Sequence, residues 1–167
     1  MAFKYITIRG SEEIGKILNV APIKIGNSSN ILIVFFDLKC PFCARMFNEA
    51  ESYLLELARK GLLSYVMCDY IVHDDAVVLH AMLREVEGAE ARLKFVEDVY
   101  NRRVKDKGGA QTGLRDIECH EIAEALGVVG TPALLFYDDN KGEGQLIFGY
   151  IPLQLIRKLL FNIFKIS

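Results

Sequence analysis

The sequence predicts an α/β domain: a mixed central sheet flanked by helices, with an inserted helical subdomain over approximately 74–112. Three observations carry this. Apolar β-branched runs alternate with stretches of helical spacing in the order β, α, β, helical insertion, α, β-hairpin, α, the order of a sheet covered on both faces. The cysteine pair of "DLKCPFCARMF" falls at a strand-to-helix junction, at the carboxyl end of a central strand, where open α/β sheets place their chemistry. Finally, 167 residues at 51% hydrophobic suffice for one core and are too few for two ordinary domains, so 1–167 reads as a single domain.

The elements follow in order. "PIKIG" reads as a short strand, whereas the first twenty residues carry no clear assignment. "ILIVFFDL" (31–38), after the turn-like "GNSSN", has the continuous apolar run of a strand buried on both faces. Met46/Phe47, Ala50, Tyr53/Leu54 and Leu57/Ala58 then repeat at helical spacing, with Gly61 as the stop. "LLSYVMCDYIV" (62–72) returns as a strand, completing a βαβ crossover. "DDAVVLHAMLREVEG" and "AEARLKFVEDVYNRRV" are two helical patterns of the insertion, and "KDKGGAQTG" is a loop. "LRDIECHEIAEALG" is a helix stopped by Gly127. "TPALLFYDD" and "QLIFGY" form a hairpin through "NKGEG", and "PLQLIRKLLFNIFKI" closes as an amphipathic helix whose apolar face suits core packing.

Composition excludes several classes. Twenty basic and 22 acidic residues leave a net charge of -2. The densest basic cluster, Arg102, Arg103, Lys105 and Lys107, is broken by Asp106, so no nucleic-acid partner is expected. The longest apolar run ends at Asp37, far short of the roughly 20 residues of a membrane helix, so no membrane partner is expected either. The first twenty residues are broken by Lys4, Arg9, Glu12, Glu13 and Lys16 and hold no apolar core of a secretory signal. The expected location is cytoplasmic, or extracytoplasmic if a cleaved signal preceded Met1.

Cys40 and Cys43 stand three residues apart and share a helix face, close enough for a disulfide across one turn. Pro41 suits the first helical position, which makes Cys40 the N-cap. Free N–H groups and the positive end of the helix dipole then favour its thiolate. Cys40 is thus the expected exposed attacking sulfur and Cys43 the deeper resolving thiol. Lys39 either adds positive charge beside Cys40 or points into solvent. A zinc or iron-sulfur site is the alternative, and it must recruit Cys68, Cys119 and His120. Their spacing, C-x2-C-x24-C-x50-C-H, lacks the second close pair of a zinc knuckle. His73, His80 and His120 otherwise read as helix-surface or local packing residues.

"VFFDLKCPFC" and "GVVGTPALLFYDD", with the "FGYIP" stretch and the closing helix, resemble the thioredoxin superfamily and more closely its DsbA-like branch, over about 22–166. The resemblance implies a thioredoxin-like fold with a helical insertion. It also implies thiol-disulfide exchange through Cys40 and Cys43 with protein or small-thiol substrates and an electron partner, and no dissociable cofactor. It implies a cis Pro132 facing the cysteines, with Thr131 and Pro132 offering backbone to an extended substrate strand. Read by itself, Thr131-Pro132 is an ordinary trans turn. Departures limit the carry-over. Phe42 stands where DsbA-like oxidases typically have His, which removes a charged donor to the thiolate. Val34 stands where thioredoxins often have a buried acid. Asp37 either assists proton transfer to Cys43 or caps a local turn. A kappa-class glutathione-transferase-like enzyme is a further alternative, against which Cys43 argues. Cys68 reads as strand core. A structural disulfide from it to Cys119 would be unusual inside a mesophilic cell but not in a hyperthermophile.

Overall fold

A computed structural model of the chain describes residues 4–10, 12–104 and 117–166. Six strands are present among them: β1 (Tyr5–Arg9), β2 (Ile23–Ile25), β3 (Asn30–Phe36), β4 (Ser64–Asp69), β5 (Ala133–Asp138) and β6 (Glu143–Phe148). They form one sheet in the order β1-β6-β5-β3-β4-β2. Only the β3–β4 pair is parallel, with Val34 opposite Met67 and Phe35 opposite Cys68. The mixed sheet follows from connection chemistry. A parallel pair needs the long crossover that the first helical pattern supplies, whereas β5 and β6 are joined by a tight turn and run antiparallel.

Helices cover both faces: α1 (Glu12–Val20), α2 (Pro41–Arg59), α3 (Val77–Glu85), α4 (Ala89–Tyr100), α5 (Glu118–Leu126) and α6 (Leu153–Phe164). β3 shows why two layers are needed. Leu32, Val34 and Phe36 join one core with residues of α2, α3, α4 and α6, while Ile31, Ile33 and Phe35 join another with α1 and α5. Successive strand side chains point to opposite faces, so an unbroken apolar run demands cover on each side.

The helix carrying the cysteine pair is shaped by its own sequence. Met46, Phe47, Ala50, Leu54, Leu57 and Ala58 lie buried on one face of α2. Lys60 ends the helix, and Gly61 follows in the left-handed region at φ +74°, a conformation that costs glycine no Cβ clash. Gly127 does the same after α5, at φ +99°.

Some boundaries differ from the sequence expectation. β4 stops at Asp69 rather than running to 72, because the Tyr70 N–H turns onto the Phe36 carbonyl and the following amides bind side chains. The first twenty residues hold a strand and a helix that alternation alone did not reveal. β1 is a sheet edge with mostly exposed side chains, so little burial pattern marks it. The insertion contributes a 3-10 turn (Asp74–Ala76), α3 and α4. The loop 105–113, the remainder of the insertion to 112 and the start of the 114–127 helical pattern lie outside the described residues. Arg92 of α4 ties the insertion to the turn before β2 by donating to the Pro22 carbonyl, and ties α4 to the end of α3 by donating to the carbonyls of Arg84 and Val86.

Cys68 on β4 and Cys119 on α5 are joined in a disulfide with a Cα–Cα distance of 5.6 Å, and both are buried. Cys68 is therefore more than a core thiol. The two stand on facing elements whose packing brings the Cβ atoms together, a proximity that spacing in the chain does not reveal.

Candidate active site

Cys40 ends the loop after β3 in an extended conformation (φ -84°, ψ 116°) and serves as N-cap of α2, with Pro41 in its first turn. The Cys43 N–H donates to Cys40 Sγ at 3.2 Å. That bond uses one of the helix N–H groups that have no intrahelical partner. Cys40 Sγ also lies 3.7 Å from the Thr131 carbonyl.

These contacts push the two thiols apart. Cys40 is lowered from 9.0 to about 6, first by the hydrogen bond from the Cys43 thiol. Partial burial opposes the shift, contacts with Thr131 and the Cys43 amide assist it, and the nearby Asp37 charge works against it. Cys43 is raised well above the ordinary thiol range, mainly by burial and then by its hydrogen bond and charge contact with Cys40. One sulfur is thus a thiolate near neutral pH and its neighbour a protonated thiol, an arrangement suited to nucleophilic attack followed by resolution.

The structure corrects one sequence expectation here. Cys40 is not an exposed sulfur: the residue is only 5% accessible, because the Thr131–Pro132 loop lies against it. The exposed members of the motif are Pro41 and Phe42; Phe42 is 58% accessible, its ring 6.4 Å from that of Tyr150.

The Thr131–Pro132 peptide is cis. The Pro132 carbonyl accepts from the Gly149 N–H at 2.9 Å, whereas the Thr131 carbonyl faces Cys40. Beside this loop lies a groove of about 650 Å³, lined by Tyr5, Ile6, Val129, Thr131, Pro132 and Phe148 among others. Val129 is 81% accessible. Sequence reasoning missed Tyr5, Ile6 and Val129. The first two reach the loop only because β1 is zipped to β6 (Tyr5 opposite Ile147), a pairing between opposite ends of the chain.

Asp37 is buried and acts as a turn residue. Oδ1 accepts from the Lys39 N–H at 2.7 Å, and Oδ2 accepts from the N–H groups of Val72 and His73, each at 2.7 Å, and faces His73 Nδ1 at 3.0 Å. Its carbonyl accepts from the Cys40 N–H and from the Tyr100 hydroxyl, both at 3.1 Å. With both carboxylate oxygens engaged, Asp37 is poorly arranged to carry a proton to Cys43. Lys39 pairs with Asp75 at 3.1 Å. Val34 is buried in the core that contains Cys43.

The wider metal set proposed from spacing is not assembled, because Cys68 and Cys119 are bonded to each other. No group of three or more His, Cys, Asp or Glu able to hold a metal occurs among the described residues. His120 is instead a packing residue. It accepts the Ile71 N–H at 3.0 Å through Nδ1, faces Glu124 at 2.8 Å and stacks on Tyr70. His80 is fully buried, not on a helix surface. Among the described residues, no helix is long and apolar enough to cross a membrane.

Comparison with known proteins places this geometry in context. A family model for the thioredoxin-like domain matches residues 21–164. The fold resembles that of a disulfide interchange protein from Neisseria gonorrhoeae, with 22% identity, a TM-score of 0.62 and coverage of 87% of this chain and 96% of the other. It also resembles the thiol-disulfide exchange protein alpha-DsbA2 from Wolbachia pipientis, with 19% identity, a TM-score of 0.63 and coverage of 91% and 92%. For BdbD from Bacillus subtilis the values are 13%, 0.67, and 95% and 98%. No curated protein matches.

Proposed function

The chain belongs to the thioredoxin-like domain family, and from that membership we propose that it is a thiol-disulfide oxidoreductase working through Cys40 and Cys43. The observation that carries the proposal is the asymmetric pair at the start of α2: a lowered thiol at the N-cap, held by the Cys43 N–H, beside a buried and raised one.

In the reducing direction, the Cys40 thiolate attacks one sulfur of a substrate disulfide. The substrate S–S bond breaks, a Cys40–substrate disulfide forms, and the departing substrate sulfur takes up a proton. Cys43 then loses its proton and attacks Cys40 Sγ. The Cys40–Cys43 bond forms, the second substrate sulfur leaves as a thiolate, and the substrate is reduced by two electrons while the enzyme is oxidised by two. The oxidising direction is the reverse, with a substrate thiolate attacking Cys40. A low value at Cys40 makes that sulfur the better leaving group when a second substrate thiolate breaks the Cys40–substrate disulfide, and it stabilises the dithiol form.

Thr131 and Pro132 are assigned to substrate binding, since their backbone borders both Cys40 and the groove. An extended peptide can add its main chain there, as a strand adds to a sheet edge. Protein thiols and disulfides are the substrate class, as the names of the structural relatives suggest, and an electron partner regenerates the pair. Lys39 and Asp37 support the site by shaping the turn, and Phe42 with Pro41 shapes the mouth and start of the helix. The test is disulfide exchange on a protein disulfide by the wild type, Cys40→Ser and Cys43→Ser. Loss of activity with Cys40→Ser supports the proposal, and a fully active Cys40→Ser protein overturns it.

A further inference from the structure

Each of the three residues before Cys40 is held by a different part of the helical insertion. The Asp37 carbonyl accepts from Tyr100 of α4, the Leu38 N–H donates to His80 of α3, and Lys39 pairs with Asp75 of the 3-10 turn. The His80 contact makes the strictest chemical demand of the three. Its Nε2 lies 2.9 Å from the Leu38 nitrogen. A peptide N–H can only donate, so Nε2 carries a lone pair and the ring proton sits on Nδ1. That proton points at Asp69 Oδ2, 2.8 Å away. The other Asp69 oxygen accepts from Arg84 at 2.6 Å. His80 and Asp69 are both fully buried, and the imidazole lies 5.2 Å from the Phe36 ring, so water does not compete for these bonds. Burial works against the charge on Asp69, but its contacts with His80 and Arg84 outweigh burial and hold its carboxyl below the ordinary range.

We propose that Asp69 and His80 form a positioning pair for the nucleophile: Asp69 fixes the His80 tautomer, His80 fixes the Leu38 amide, and the turn so held brings Cys40 Sγ to the Cys43 N–H. The inference rests on the exchange function proposed above and adds two positioning residues to it. Neither touches the reacting sulfurs. The link is short: Leu38 is two residues from Cys40, and the Cys40 N–H closes the same turn on the Asp37 carbonyl. If Nε2 carried a proton, two N–H groups would meet head-on at 2.9 Å. The Leu38 amide would then have to leave, because a buried donor without an acceptor is unstable. Moving that amide rotates the turn and misaligns Cys40 Sγ with its Cys43 donors, the thiol and the N–H, that stabilise the thiolate.

Four variants of the reduced full-length protein test this, read by thiolate absorbance against pH and by equilibrium with glutathione. In Asp69→Asn the amide oxygen must face the Arg84 cation, so its NH2 faces His80 and drives the ring proton to Nε2. His80→Leu removes the acceptor, whereas the side-chain oxygen of His80→Gln can still take the Leu38 N–H. Arg84→Met removes the neighbouring charge but leaves the Asp69–His80 bond. Asp69→Asn and His80→Leu are expected to raise the Cys40 midpoint by about one unit, a tenfold loss of thiolate stability. They should also shift the glutathione equilibrium several-fold toward the disulfide. His80→Gln and Arg84→Met are expected to titrate within about 0.3 unit of wild type, even where Arg84→Met lowers the melting temperature.

Wild-type midpoints in both Asp69→Asn and His80→Leu overturn the proposal. So does an equal rise in all four variants, which would mark a packing effect. Should Asp69→Asn not fold, the contrast between His80→Gln and His80→Leu decides the matter. The titration needs no turnover, so a wild type without exchange activity would refute the proposed function while leaving this comparison intact.

Discussion

The sharpest quantitative consequence of the site is the pH profile of Cys40. Its value is held near 6 against an ordinary 9.0, a difference worth about 4 kcal/mol as a ceiling, since solvent reaching the sulfur screens the contacts. Between pH 7 and pH 5 the thiolate share of such a group falls from about nine-tenths to about one-tenth, a tenfold drop in alkylation rate. An ordinary thiol falls about a hundredfold over the same interval. The ratio of rates within one protein is independent of how well the reagent reaches a buried sulfur. The assay is iodoacetamide labelling of reduced protein followed by mass spectrometry from pH 4 to 9. Cys43→Ser keeps a hydroxyl donor toward Cys40 and should keep a midpoint near 6, whereas Cys43→Ala loses the side-chain hydrogen bond that stabilises the thiolate most and should titrate higher. A hundredfold drop between pH 7 and pH 5, or identical midpoints in Cys43→Ser and Cys43→Ala, would refute the reasoning.

The same shift links to stability. Folded reduced protein holds Cys40 below its unfolded value, so it binds fewer protons than the unfolded chain between about pH 6 and 9. The stabilisation is fully present above about 9 and is lost as pH falls through about 6. Denaturant unfolding of reduced wild type and Cys40→Ser should therefore diverge with rising pH across that window. Equal pH slopes would contradict it. Replacing both Cys68 and Cys119 with Ala removes a cross-link spanning 51 residues, which costs about 4 kcal/mol from loop entropy. Urea unfolding should show that loss with the Cys40 midpoint retained. Phe42→His places a donor in the motif and should lower the Cys40 midpoint and favour the dithiol. The exposure of Phe42 limits the gain to about 1 kcal/mol, read against glutathione. Tyr100→Phe deletes the hydroxyl bond to the Asp37 carbonyl and should cost about 1 kcal/mol in thermal unfolding.

How far the sequence reveals this site depends on whether a feature is local. The Cys40 cap needs only four consecutive residues: Pro41 starts the helix, and the Cys43 amide is presented by the first turn. β3 was legible because its apolar run has no solvent-facing side. Asp37 was ambiguous because its donors come from Val72 and His73 as well as from the adjacent Lys39. The accessibility of Cys40 depends on a loop 91 residues away in sequence. For His80 the sequence leaves helix surface and local packing equally open, because its partners, Asp69 and Leu38, lie on other elements. The Cys68–Cys119 bond and the Tyr5–Ile6 wall of the groove depend likewise on the packing of distant segments, which short-range patterns do not encode.

The division of labour between the two sulfurs is tested most directly by trapping the intermediate. Cys43→Ser and Cys40→Ser, each reduced, are mixed with a protein disulfide, quenched in acid and mapped by mass spectrometry without reductant. The account predicts a stable mixed disulfide through Cys40 in Cys43→Ser and almost none in Cys40→Ser. A comparable yield of substrate linked to Cys43 in Cys40→Ser would contradict it.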